Sequence, residues 1–147
     1  MEKKQLPLLI VAQTAEHIPA LRHLYLEARK KAFTWLPPER FQLQDFDVVT
    51  AQEQVGVALQ ANTPVGFISW WPPDNFIHSL FVNPALVRHG IGQALLQYCL
   101  QRIGRPTTLK CLQTNTPALR FYAAQGWRIV GSGEAEDGAF LLLAYGH

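Results

Sequence analysis

The chain has 147 residues, enough for one domain with a sizeable core, and its 48% hydrophobic against 16% charged content excludes a disordered polymer. A formal net charge of +2 with no long Lys/Arg stripe excludes general nucleic-acid binding, because few counterions would be displaced. Two cysteines, Cys99 and Cys111, make no disulfide framework, and no Cys/His set has zinc spacing, so no metal is expected.

From the N-terminus, the apolar run Leu6 to Ala12 is too short for a secretory core or a membrane span, so no membrane partner and a cytoplasmic location are expected. Leu6 to Val11 reads as a first strand. A helix begins between Thr14 and Ile18, with Pro19 tolerable only in its first turn. Leu21, Leu24, Tyr25, Ala28 and Ala32 recur at helical spacing and predict its buried face, while Arg29-Lys30-Lys31 suits a solvated face near its end. Pro37-Pro38 ends this element, and residues 39–46 read as a short helix or irregular segment. Val55 to Gln60 and Val65 to Trp70 read as a hairpin around Asn62-Thr63-Pro64, and Phe76 to Val82 as a further strand.

The stretch Leu80 to Leu96, LFVNPALVRHGIGQALL, carries the strongest signal. The strand stops at Asn83-Pro84, and Gly90 and Gly92 open a helix predicted over Gly90 to Ile103. Ile91, Leu95, Leu96, Cys99, Leu100 and Ile103 face inward, and Gly104 with Pro106 terminates the helix. Free N–H groups at its start, with Arg88 and His89 beside them, make a phosphate cradle. A dinucleotide fingerprint would want a third small residue and a later acidic one, and a Walker loop would want Gly-Lys-Ser/Thr; neither is present. A bare permissive turn is the bland alternative, but glycine costs roughly 1 kcal/mol in a helix, so two need a reason. Thr108 to Leu112 is a strand, followed by a helix with Thr116 as N-cap, Pro117 at its first position and Gly126 just past its end. Trp127 to Val130 and Phe140 to Tyr145 close the chain as a hairpin across Gly133 to Gly138. Alternating strands and helices with antiparallel pairs at both ends fit a mixed α/β sheet.

The pattern of apolar strand, Val82-Asn-Pro, x-x-x-Gly-x-Gly and a Leu-Leu helix resembles the cofactor motif of the GNAT superfamily of acyl-CoA N-acyltransferases. Asn115-x-x-Ala118-x-x-Phe121-Tyr122-x-x-x-Gly126-Trp127 resembles the family's later motif, in matching order and separation. The likeness is strong from about Val65 to Val130, and it departs at Val87, where the family usually has Gln or Arg. It implies one N-acetyltransferase domain over residues 1–147, with a mixed twisted sheet of about six to seven strands flanked by about four helices. A V-shaped splay would separate Phe76–Val82 from Thr108–Leu112, with acetyl-CoA as cosubstrate in the gap. By this resemblance the pantetheine pairs with the backbone of Leu80, Phe81 and Val82, and Asn115 helps hold it. The pyrophosphate lies on the amides of Val87, Arg88, His89, Gly90, Ile91 and Gly92.

Acetyl transfer from a thioester to an amine requires a neutral amine, a stabilised oxyanion and a proton for the departing thiolate. The resemblance makes Tyr122 the general acid, since a phenol with pKa near 10 is protonated at neutral pH and can serve a thiolate of about 8.5. The bland alternatives are a core aromatic for Tyr122 and a turn residue for Asn115. The oxyanion would meet a backbone N–H near Phe81. His78 is the candidate base, placed in register with Leu80 and Val82 by strand alternation; a merely structural histidine is the competing reading, and Asp74 and Glu39 stand behind it. Trp35, Trp70, Trp71 and Phe76 are expected to border the acceptor side. The expected reaction is transfer of acetyl to a primary amine of a small molecule or peptide by direct attack. A non-catalytic acyl-CoA sensor and a longer-chain acyltransferase are the alternatives. The exposed hairpin leaves room for a homodimer without demanding one.

Overall fold

Period-two runs of Val, Ile, Leu and Phe pair into a seven-stranded sheet, and the longer apolar stripes become helices laid on its two faces. The structure, a computed structural model, describes residues 7–86 and 89–147. The strands are β1 (Leu8–Ala12), β2 (Gln54–Gln60), β3 (Thr63–Trp71), β4 (Phe76–Val82), β5 (Thr107–Leu112), β6 (Arg128–Ala135) and β7 (Gly138–Tyr145). Their order across the sheet is β1-β2-β3-β4-β5-β7-β6. All neighbours are antiparallel except β4 and β5, which run parallel. The helices are α1 (Ile18–Ala32), α2 (Asp45–Val49), α3 (Ile91–Leu100) and α4 (Thr116–Ala124).

Successive residues of a strand face opposite sides, so the sheet divides two cores. Phe67, Val55 and Val57 pack with Leu21, Leu24, Tyr25 and Phe46 on the side of α1 and α2. Ile68, Trp70 and Ile77 pack with Ile91, Leu95, Leu96 and Cys99 of α3, and Tyr122 of α4 joins the same side. The predicted inward face of α3 is buried at all six positions, Ile103 included.

Several details differ from expectation for local physical reasons. Ala32 is exposed, and Arg29 is buried at 8% rather than solvated with Lys30 and Lys31. Its guanidinium lies 3.8 Å from the Tyr25 ring centroid and 4.8 Å from that of Phe41, with Asp45 Oδ2 at 3.2 Å. A planar cation that stacks on rings and meets a carboxylate can be buried where a lysine would not be. The β2–β3 connection is the two residues Ala61 and Asn62, both left-handed, so Thr63 and Pro64 already belong to β3. Pro64 is accommodated beside a bulge in the β2–β3 ladder. The β6–β7 connection is likewise shorter than Gly133 to Gly138, because the ladder runs on to the pair Ala135 and Gly138.

Two irregularities shape the centre of the sheet. First, β4 and β5 pair only at Phe76–Thr108 and Ile77–Leu109, so the strands part beyond these residues and leave a wedge. Second, Ser69 pairs with Ser79 and Trp70 with Ile77, so His78 is the extra residue of a β-bulge. The bulge breaks the alternation expected of β4: Ile77, Leu80 and Val82 pack toward α3, and His78 turns to the other side.

Candidate functional site

The chain leaves β4 through an Asx-type turn in which Asn83 Oδ1 accepts from the Ala85 amide at 2.9 Å, followed by a 3-10 turn over Pro84–Leu86. It enters α3 through Gly90, whose φ of 76° is left-handed and favours glycine. The Ala94 amide is the first to bond back, to the Gly90 carbonyl, so the amides of Ile91, Gly92 and Gln93 have no partner within the helix. A Cβ on Gly92 would meet only Phe121 at 3.7 Å and Val82 at 3.8 Å, ordinary contacts, and one on Gly90 would meet open space. Protein packing therefore does not require glycine at position 92. A bulky oxyanion resting on these amides would.

These amides open onto a cleft of about 730 Å³ between the starts of α3 and α4. Gly90, Ile91 and Gly92 line it as expected, with Leu80 and Val82 of β4. Arg120 and Gln93 also line it, and sequence reasoning missed both; Arg120 sits three residues past Pro117 on α4, a helical spacing that would have found it. His89 is exposed and not among the lining residues, and Val87 and Arg88 lie outside the described residues.

On the other side of the wedge lies a second cavity of about 250 Å³, lined among others by Phe33, His78, Phe81, Asn115 and Asp137. Leu80, Ala118 and Tyr122 line both cavities. Tyr122 is thus the ionisable side chain common to the two. It is 8% exposed, its hydroxyl bonds no other described residue, and burial holds its phenol well above the ordinary tyrosine range, with Cys111 and Cys99 adding in the same direction. The phenol is therefore protonated at any physiological pH.

Asn115, not Thr116, is the N-cap of α4; its Oδ1 accepts from the Ala118 amide at 3.4 Å, and Pro117 takes the second helical position. The cap consumes the oxygen and leaves the Nδ2 amide without a partner among the described residues. Trp70 is buried against Tyr98 on the α3 side, and Trp35, Trp71 and Phe76 line neither cavity. Phe33 and Phe81 supply the aromatic wall instead, their rings 6.4 Å apart. Asp74 and Glu39 sit exposed in 3-10 turns and line neither cavity. His78 lines the second cavity with its side chain 48% exposed, and its Nδ1 lies 2.7 Å from Glu53 Oε1. No local pattern in the sequence links Glu53 to His78, which are 25 residues apart.

The profile of the acetyltransferase (GNAT) family matches residues 18–127. The peptidyl-lysine N-acetyltransferase YiaC of Escherichia coli is 37% identical over 128 residues, spanning 81% of this chain and 82% of that protein. Among solved structures, apo YjaB of Escherichia coli superposes with a TM-score of 0.79 at 22% identity, over 95% of this chain and 98% of its own. The PaiA N-acetyltransferase of Thermoplasma acidophilum, solved in complex with coenzyme A, superposes with a TM-score of 0.77 at 16% identity, over 95% and 100%.

Proposed function

Since the chain belongs to the acetyltransferase (GNAT) family, whose members are acetyl-CoA-dependent N-acetyltransferases, we propose that it moves acetyl from acetyl-CoA to the ε-amine of a lysine in a peptide or protein, within one domain spanning residues 1–147. The observation that carries this reading is Tyr122, placed where a glycine-floored cleft and a smaller aromatic cavity meet across the wedge. The fit of acetyl-CoA rests on the open space above Gly90, on the uncrowded Gly92 and on the free amides at the start of α3. In this reading Ile91 and Gly92 hold the diphosphate, Arg120 adds a positive charge, and the β4 edge at Leu80, Phe81 and Val82, freed by the splay from β5, pairs with the pantetheine. Asn115 offers its Nδ2 to the same arm.

The acceptor comes from the side of Phe33 and Phe81. The aromatic walls suit a cationic chain such as lysine, with Asp137 at the cavity already paired to Arg40 at 2.8 Å, and the curated relative is named for that substrate. The amine reacts only when neutral, so His78 Nε2 takes a proton from it as it attacks the thioester carbon. The carbon–sulfur bond then breaks, and Tyr122 places its proton on the leaving sulfur.

The test is release of free coenzyme A from acetyl-CoA, measured with an N-terminally blocked lysine peptide, the same peptide with acetyl-lysine, and a polyamine. The reading expects saturable release with the lysine peptide alone. Binding of acetyl-CoA without turnover on any amine would overturn it and leave a sensor.

A further inference from the structure

We infer that Glu53 is a positioning residue of the reaction, a buried carboxylate that fixes the tautomer and aim of His78. This rests on the reading of His78 as the base given above. The two residues come from distant parts of the chain. His78 is the extra residue of the β4 bulge, and Glu53 enters from the turn between α2 and β2. That turn passes through Gln52 at a φ of 64°, an uncommon conformation for a residue with a side chain, and is closed by the Glu53 amide donating to the Thr50 carbonyl at 2.9 Å. Two backbone irregularities, one in the turn before β2 and one in the β4 bulge, therefore converge on one contact of 2.7 Å between Nδ1 and Oε1.

The exposures assign the roles. Glu53 has a side chain 5% exposed and does not line the acceptor-side cavity, whereas His78 is 48% exposed and does line it, so the imidazole is the group presented there. Glu53 Oε2 is buried with no hydrogen-bond partner among the described residues. A carboxylate so placed is costly, and an apolar side chain would fill the space better if packing were the only need. An ionised carboxylate only accepts, so Nδ1 must carry the hydrogen that bridges to Oε1. The neutral imidazole then has its lone pair on Nε2, the ring nitrogen not engaged by Glu53, on a residue that lines the cavity. When Nε2 takes the proton of the amine, both ring nitrogens carry hydrogens, one still held by Glu53, which keeps its charge. No proton passes to the carboxylate.

The test combines ¹⁵N imidazole spectra of the protein without substrates with steady-state kinetics on the lysine peptide, for wild type, Glu53→Gln, His78→Gln and the double variant. The expected spectrum shows His78 as the Nδ1–H tautomer in wild type and a shift toward Nε2–H in Glu53→Gln. The expected kcat of Glu53→Gln falls on the order of tenfold to a hundredfold, part of the 10²–10⁴ that a positioned base contributes, with the KM for acetyl-CoA unchanged. The double variant should be no slower than His78→Gln, because residues acting as a unit are not additive. An unchanged tautomer in Glu53→Gln, a wild-type kcat, or losses that multiply in the double variant would each overturn the inference. The spectra test the pair even if no lysine peptide turns over, so failure of the assigned substrate and failure of the dyad read differently.

Discussion

At Tyr122 the burial that keeps the phenol protonated also makes it a weaker donor, which bears on its proposed service to a thiolate. The neighbouring cysteines show the same effect. Burial pushes Cys111 up to about 11 and Cys99 up to about 12, so a sulfur anion arising in this apolar surrounding is itself a stronger base than in water. In the proposed mechanism, a coenzyme sulfur leaving beside Tyr122 would be lifted in the same direction. The same shift makes the two cysteines inert. With a midpoint of about 11, Cys111 is roughly one part in a thousand thiolate at pH 8, and Cys99 less. Native protein treated with iodoacetamide at pH 8 should therefore stay unmodified at both positions by mass spectrometry, while protein unfolded in guanidinium reacts at both. Fast labelling of the native fold would contradict the assigned burial. Both cysteines were legible from the sequence as small buried hydrophobes, because their apolar neighbours on a helix face and a strand declare it. Arg29 was not, since what buries it are Tyr25, Phe41 and Asp45, brought together only by the packing of α1 on α2.

At the scale of elements, the start of α3 separates stability from binding. Gly92 lies within the helix and a Cβ there meets only ordinary contacts, so Gly92→Ala should leave stability unchanged or raise it by up to about 1 kcal/mol, the usual helix cost of glycine. The same methyl stands over the free amides, so acetyl-CoA affinity should fall at least tenfold. Gly90→Ala should do the reverse to the fold, losing about 1–2 kcal/mol, because its backbone is left-handed. Thermal melts and calorimetric titration of acetyl-CoA on both variants check the pair of signs; an unchanged affinity in Gly92→Ala would remove the amides from the coenzyme site. The glycines, the extent of β4 and the inward face of α3 were all readable in the sequence, since each is set by local spacing. The bulge at His78 was not. It arises where β3 and β4 fall out of step between Ser69 and Trp70, and a two-residue period read along one strand cannot see a slip against its neighbour. The cap of α4 lay one residue before the expected Thr116 for a simpler reason: Asn115 and Thr116 are both good caps, and the side-chain Oδ1 of Asn115 accepts from the third amide, that of Ala118.

For the molecule as a whole, the decisive feature is that the sheet comes apart at its centre. Four antiparallel strands on one side and three on the other are joined by only two parallel residue pairs. Each half keeps its own neighbours, so the wedge can stay open without loss of ladder elsewhere. It forms a passage between the face of α3 and α4 and the face of α1 and α2. The larger cleft and the smaller cavity thus meet at Leu80, Ala118 and Tyr122, of which only Tyr122 has an ionisable side chain. The two motifs that resemble the family's, Gly90-x-Gly92 and the Asn115 to Tyr122 cluster, mark the larger cleft in the sequence. The smaller cavity has no such signature, because Phe33, His78 and Asp137 are gathered from three distant segments by this topology. The most direct measurement is the turnover of Tyr122→Phe on a lysine peptide, with acetyl-CoA affinity measured alongside. A kcat about 100-fold lower or more, the scale of a lost general acid, with the coenzyme dissociation constant within about threefold of wild type, is the predicted result. Turnover equal to wild type would contradict the account.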